Sequence, residues 1–170
     1  MSAQLIDGKL IASRILEEVR RRVDLLRRKG VTPGLAAVLV GEDSASTTYV
    51  SSKAKACEKL GIHSRVIRED AGLSQSQLLS IVQELNEDRS IHGILVQSPV
   101  PKAIDELAVT LAIRPDKDVD GFHPHNVGMM LIGRPAMLPC TPLGIIKLLE
   151  YSNIDPAGKI RLSRQAVLEG

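Results

Sequence analysis

The sequence predicts an α/β fold in three layers, α/β/α, built on a short parallel sheet. Three observations predict it. Apolar runs too short for helices alternate along the chain with segments of helical period. The first of those runs, Leu35-Ala36-Ala37-Val38-Leu39-Val40, is apolar without alternation, as a strand covered on both faces should be. The connections between runs are long enough for a helix each, which parallel pairing requires.

From Asp7 to Lys29 the residues Ile11, Ile15, Leu16, Val19, Val23 and Leu26 keep a helical period, and Gly30 stands where a helix terminator is expected. The strand at 35–40 is bounded by Pro33-Gly34 and by Gly41. Asp43-Ser44 offers an N-cap for a helix from Ala45 to Leu60. Val50, Ala54, Cys57 and Leu60 form its inner face, and Gly61 closes it. A second strand follows at Ser64–Arg68, a helix at Ser74–Asn86, a third strand at Ile91–Val96 and a helix at Ile104–Ile113. Crossovers in such a sheet are right-handed, and ligands gather at the carboxyl ends of the strands. The Gly41–Thr48 turn and Gln97-Ser98-Pro99 both emerge at that edge. Residues Arg114 to Thr141 read as one long loop rich in turn formers, a feature that inside a compact domain is usually functional. A last helix starts at Thr141-Pro142 and carries Ile145, Ile146, Leu148 and Leu149.

Composition narrows the function classes. The chain has 170 residues, room for one domain with a sizeable core. Its aromatics are Tyr49, Phe122 and Tyr151, with no Trp, so the core is aliphatic and recognition of nucleic acid by base stacking is disfavoured. A net charge of +2, from 22 basic and 20 acidic residues, demands neither an anionic polymer nor a membrane surface. The basic run Arg20-Arg21-Arg22 sits among Glu17, Glu18 and Asp24 and reads as a solvated helix face. Cys57 and Cys140 are too far apart for a metal-ligand spacing or a disulfide framework. With no apolar stretch of secretory or membrane-spanning length, the reading is a soluble, cytoplasmic protein.

One pair of side chains carries chemistry. Tyr49 and Lys53 lie at i and i+4 of the predicted helix, hence on one face. A tyrosine ring beside an amine suits a planar heterocycle with a reacting atom at its rim, although taken alone the pair also suits an ordinary exposed surface. Gln97 could equally cap a strand end, and Asp118 and Asp120 could brace their own turn. His123 and His125 have no third ligand within reach by sequence, so no metal is expected. Cys140 has no specified base partner, so packing is its expected role.

Four segments then fall in order: Tyr49-Val50-Ser51-Ser52-Lys53-Ala54-Lys55-Ala56-Cys57, Gly93-Ile94-Leu95-Val96-Gln97-Ser98-Pro99-Val100-Pro101, Pro115-Asp116-Lys117-Asp118-Val119-Asp120-Gly121-Phe122-His123-Pro124 and Pro139-Cys140-Thr141-Pro142-Leu143-Gly144. Together they resemble the catalytic domain of the bifunctional methylenetetrahydrofolate dehydrogenase/methenyltetrahydrofolate cyclohydrolase family. The resemblance implies an amino-acid-dehydrogenase-like N-terminal domain over residues 1–159, a folate substrate and enzymes that are commonly homodimeric. The family interconverts 5,10-methylene-, 5,10-methenyl- and 10-formyltetrahydrofolate, with NADP in the first step. By the same resemblance Tyr49 stacks on the folate, Lys53 is the main catalytic group of the hydrolytic step, Gln97 holds and tunes Lys53, Pro99 contacts substrate and Asp120 hydrogen-bonds the pterin.

The residue types suit that chemistry. Methenylfolate is a cationic amidine, and water must add to its one-carbon bridge. A neutral amine beside that carbon can orient and deprotonate the water, which for a lysine requires a pKa far below the usual value of about 10.4. Gln97 can hold the amine without a charge that would keep it protonated, and a carboxylate at 120 can accept two N–H bonds from an aminopyrimidine. The family continues past a segment like Asp155-Pro156-Ala157-Gly158-Lys159 into a nucleotide-binding domain, whereas residues 160–170 do not match it. The expectation is therefore that this chain alone holds no NADP and lacks the dehydrogenase step. Two rival readings remain: a non-enzymatic folate- or partner-binding unit, and a related fold with a different substrate.

Overall fold

The computed structural model describes residues 5–154; the segment from Asp155 onward, with the expected tail at 160–170, lies outside them. Three strands, β1 (Gly34–Val40), β2 (His63–Glu69) and β3 (Gly93–Val96), pair in parallel in the order β2-β1-β3. The helices among the described residues are α1 (Gly8–Arg28), α2 (Ser44–Leu60), α3 (Gln75–Glu87), α4 (Glu106–Ala112), α5 (Pro124–Leu131) and α6 (Cys140–Tyr151).

The central strand explains its own sequence. Ala36, Val38 and Val40 pack on one side against Leu78, Val82 and Leu85 of α3 and Val109 of α4. Ala37 and Leu39 pack on the other side with Val50 of α2 and Leu95 of β3. A strand with helices on both faces has no polar side to spend, hence the unbroken apolar run. Burial of these aliphatic side chains, about 1.5–3 kcal/mol for each Val or Leu, is the main force holding the layers together.

Caps set the helix limits. The Asp43 carboxylate accepts from Ser46 N at 2.7 Å and starts α2, and Gly61 ends it in the left-handed region at φ 75°. Ser74 and Gln77 form a reciprocal capping box on α3. Asp105 caps α4, which therefore begins two residues later than expected. β3 likewise begins at Gly93 rather than Ile91. On α1 only Ile11 and Val23 are buried. Leu16 and Leu26 keep the helical period yet are exposed; α1 packs chiefly on α2 and α6.

The stretch from Arg114 to Thr141 is not one long loop, contrary to the sequence expectation. It contains α5, capped when His123 Nδ1 accepts from His125 N at 3.0 Å, with Pro124 in its first turn. The last helix starts one residue before Thr141, with Pro139 at the N-cap position. The segment ahead of α5 is also anchored. Ile94 N donates to Lys117 O at 2.7 Å, and the buried Lys117 ammonium donates to the carbonyls of Leu85 (2.9 Å) and Asp88 (2.8 Å) at the end of α3.

Candidate functional site

The helix phase of α2 fixes where Lys53 points. Val50 and Cys57 are buried, and Lys53, between them along the helix, is half-buried. Its amine reaches across to the end of β3 and donates to Gln97 Oε1 at 3.2 Å. Gln97 Nε2 donates in turn to Ser98 O at 2.8 Å, so the amide is held with its oxygen toward Lys53. The Gln97 backbone is tied to the sheet through N–H to Val38 O at 2.8 Å, and the Ser98–Pro99 peptide that follows is cis.

These groups open on a cleft of about 380 Å³. Lys53, Gln97 and Asp120 line it together, with Val109 and Thr110 of α4 on one wall and the start of α6 on another. Asp120 arrives through a tight turn: Gly121 is at φ 70°, and a Cβ there would lie 2.8 Å from the Leu138–Pro139 backbone, which only glycine permits. Tyr49 and Pro99 do not form the cleft walls. Tyr49 is 65% exposed beside Lys53, whose amine lies 5.7 Å from the ring centroid, and Pro99 is exposed beyond Ser98.

The Asp120 carboxyl is pushed above its ordinary value. Burial is the main cause; the Lys53 ammonium pulls it back and the Asp118 carboxylate adds to the rise. Its side chain makes no hydrogen bond or ion pair among the described residues, so its acceptor sites face the cleft unused. Asp118 is different. It is 3% exposed and accepts from Gly121 N (3.1 Å), His123 N (2.8 Å) and Asn126 Nδ2 (3.0 Å), a brace for the turn.

Cys140 is not packed away as expected. The residue is exposed at the cleft, but its Sγ, 3.4 Å from Val119 O, is turned partly away from solvent, and this partial desolvation, with Asp120 adding, pushes its thiol up. That makes it a poor nucleophile. Among the described residues no group of three His, Cys, Asp or Glu side chains could hold a metal. Sequence reasoning missed the α4 wall and Phe122, which lines the cleft while 62% exposed. A large apolar residue inside a turn-rich segment was the available signal for Phe122.

Comparison with known proteins agrees with this architecture. The profile described as tetrahydrofolate dehydrogenase/cyclohydrolase, catalytic domain, matches residues 6–120. The bifunctional protein FolD of Moorella thermoacetica is 53% identical over 159 residues, and that of Halalkalibacterium halodurans 51% over 159; each match covers 94% of this chain and 57% of the relative. The chain thus spans somewhat more than half the length of these curated relatives. The crystal structure of the bifunctional FolD enzyme of Campylobacter jejuni superposes with a TM-score of 0.88 at 46% identity, covering 91% of this chain and 55% of that one. The Trypanosoma brucei enzyme, solved with NADP cofactor and inhibitor, gives 0.88 at 38% identity, covering 94% and 55%. On the profile match and these identities, the chain belongs to the tetrahydrofolate dehydrogenase/cyclohydrolase family, of which it carries the catalytic domain.

Proposed function

We propose that the cleft binds a reduced folate and promotes hydrolysis of 5,10-methenyltetrahydrofolate to 10-formyltetrahydrofolate. The observation that carries this reading is the Lys53–Gln97 hydrogen bond at one side of a cleft that also holds the Asp120 carboxylate, unpartnered among the described residues. Asp120 offers two acceptor oxygens to the N–H groups of an aminopyrimidine edge. Tyr49, exposed beside Lys53, offers a plate for a ring that projects out of the cleft, and Pro99 a second apolar contact.

The chemistry then follows from the placement. Water adds to the cationic one-carbon bridge while the Lys53 amine, in its neutral form, takes the proton. The tetrahedral adduct collapses as its hydroxyl proton leaves and passes to N5, the carbon's bond to N5 breaks, and the carbon remains on N10 as a formyl group; the proton that Lys53 took from water is released to solvent. Gln97 Oε1 accepts from Lys53 Nζ and holds the amine without adding a charge that would favour its protonated form. The same reading takes residues 1–159 as the folate-binding unit of a cytoplasmic, homodimeric enzyme that binds no nucleic acid. Two free cysteines agree with a reducing compartment, and no described helix is long and apolar enough to cross a membrane.

NADP, which the Trypanosoma relative holds, does not fit the described residues. The strand-to-helix turn between β1 and α2 has a single glycine, and the Asp43 carboxylate already occupies the N-terminus of α2 where a pyrophosphate would sit. The proposal is tested by following methenylfolate hydrolysis in the native chain and in Lys53→Met. Equal rates in the two, both folded, would remove Lys53 from the mechanism.

A further inference from the structure

The Asp120 side chain has no hydrogen-bond or ion-pair partner among the described residues, yet its position is not left to chance. Asp118 closes the turn around it: Oδ1 accepts from Gly121 N at 3.1 Å and Oδ2 from His123 N at 2.8 Å, both on the far side of Asp120 in the chain. Asp118 in turn depends on Asn126. This residue sits in the first turn of α5, 1% exposed, and its single NH₂ group donates to Asp118 Oδ2 at 3.0 Å and to Pro115 O at 2.9 Å. One amide therefore joins three things: the start of the segment, its bracing carboxylate and the helix that follows. Both acceptors require a donor, so the amide orientation is set by its partners rather than by shape.

We propose that Asn126 is a positioning residue for the ligand-holding carboxylate: acting through Asp118, it fixes the turn that presents Asp120 to the cleft. This rests on the reading that Asp120 receives the donor edge of the ligand. A side chain that only anchored α5 would affect stability and nothing else. A positioning side chain must also change where Asp120 sits, and misplacement of a binding group by even 1 Å is costly.

The test uses the whole 170-residue chain and reads aspartate carboxyl titrations by carbon-detected NMR. In the native chain Asp120 titrates above the ordinary range because it is buried, and Asp43 below it because of its helix cap. In Asn126→Ser, Asp120 is expected to return toward the ordinary range while Asp43 stays low. Affinity for a folate analogue should fall about tenfold. An Asp120 titration unchanged in a folded Asn126→Ser would overturn the proposal. If that variant does not fold, the frame is read in the native chain instead, where the Gly121 and His123 amides should exchange with solvent as slowly as those of α5. Fast exchange of the two amides overturns it equally. Absence of folate binding in the native chain would sink the proposed function but not the titration test, so the two failures are distinguishable.

Discussion

Lys53 and Asp120 were legible as residue types in a motif, but their mutual placement was not. Their segments are 67 positions apart and meet only because β1 and β3 are neighbours in the sheet. The sequence reading put Asp120 in a long loop rich in turn formers, where exposure is the default, whereas it is half-buried, and this changes what its removal should do. Its folded carboxyl titrates above the model-compound value of 3.8, so the folded chain binds that proton more tightly than the unfolded one. The group therefore opposes folding above its folded pKa, and the penalty is relieved as pH falls toward the unfolded value. Asp120→Asn should leave the melting temperature at pH 7 unchanged or slightly raised, while folate-analogue affinity drops about 10–100-fold through loss of charge-assisted bonds. Calorimetric titration and melting of the same samples check both halves. Binding by the native chain should also weaken on acidification at a higher pH than an ordinary aspartate would give, since the acceptor is lost on protonation. For Lys53→Met, hydrolysis of methenylfolate should fall at least about 100-fold with the fold retained, the scale of a lost proton acceptor. A rate near that of the native chain would point to another base.

At the scale of elements, hydrophobic period and caps located the three strands, α1 to α4 and α6 to within two residues at each start. The Asp43 and Gly61 limits of α2 were readable directly, because local side-chain chemistry decides them. Helix α5 was not readable. It is eight residues long, opens on a proline and contains Gly128, so its period is too short to rise above the turn formers around it. What ties it down is the buried Asn126, whose amide reaches back to Asp118 and Pro115, contacts outside the helix that no periodic pattern announces. The same limit applies to close approaches. A Cβ on Gly34 would lie 1.9 Å from the Ser90 carbonyl oxygen, a backbone atom that cannot step aside. Gly34→Ala should cost about 3 kcal/mol or more, through forced separation of β1 from the 88–92 turn. Gly144, exposed in the middle of α6 with nothing within 4 Å of a Cβ, should behave oppositely. Gly144→Ala should stabilise by about 0.5–1 kcal/mol through helix propensity. Urea unfolding of the two variants beside the native chain gives both signs in one experiment.

For the whole molecule, the three-layer architecture followed from one strand apolar on both faces, and the family match bears it out. The cleft did not follow from pattern alone. Its floor is Lys53, Gln97 and Asp120, foreseen from motifs, but its α4 wall and the exposed Cys140 come from packing of helices whose separation the sequence does not state. Asp43 at the N-terminus of α2 gives one expectation at this scale: NADP titrated into the 170-residue chain should produce no saturable signal. Folate is the contrasting ligand. The measurement that bears most directly on the central claim is a calorimetric titration of the same chain with a folate analogue, run in parallel with Asp120→Asn. Saturable binding by the native chain, weakened in the variant at unchanged melting temperature, is the expected result; no saturable binding by a well-folded native chain, or equal affinity in the two, would contradict it.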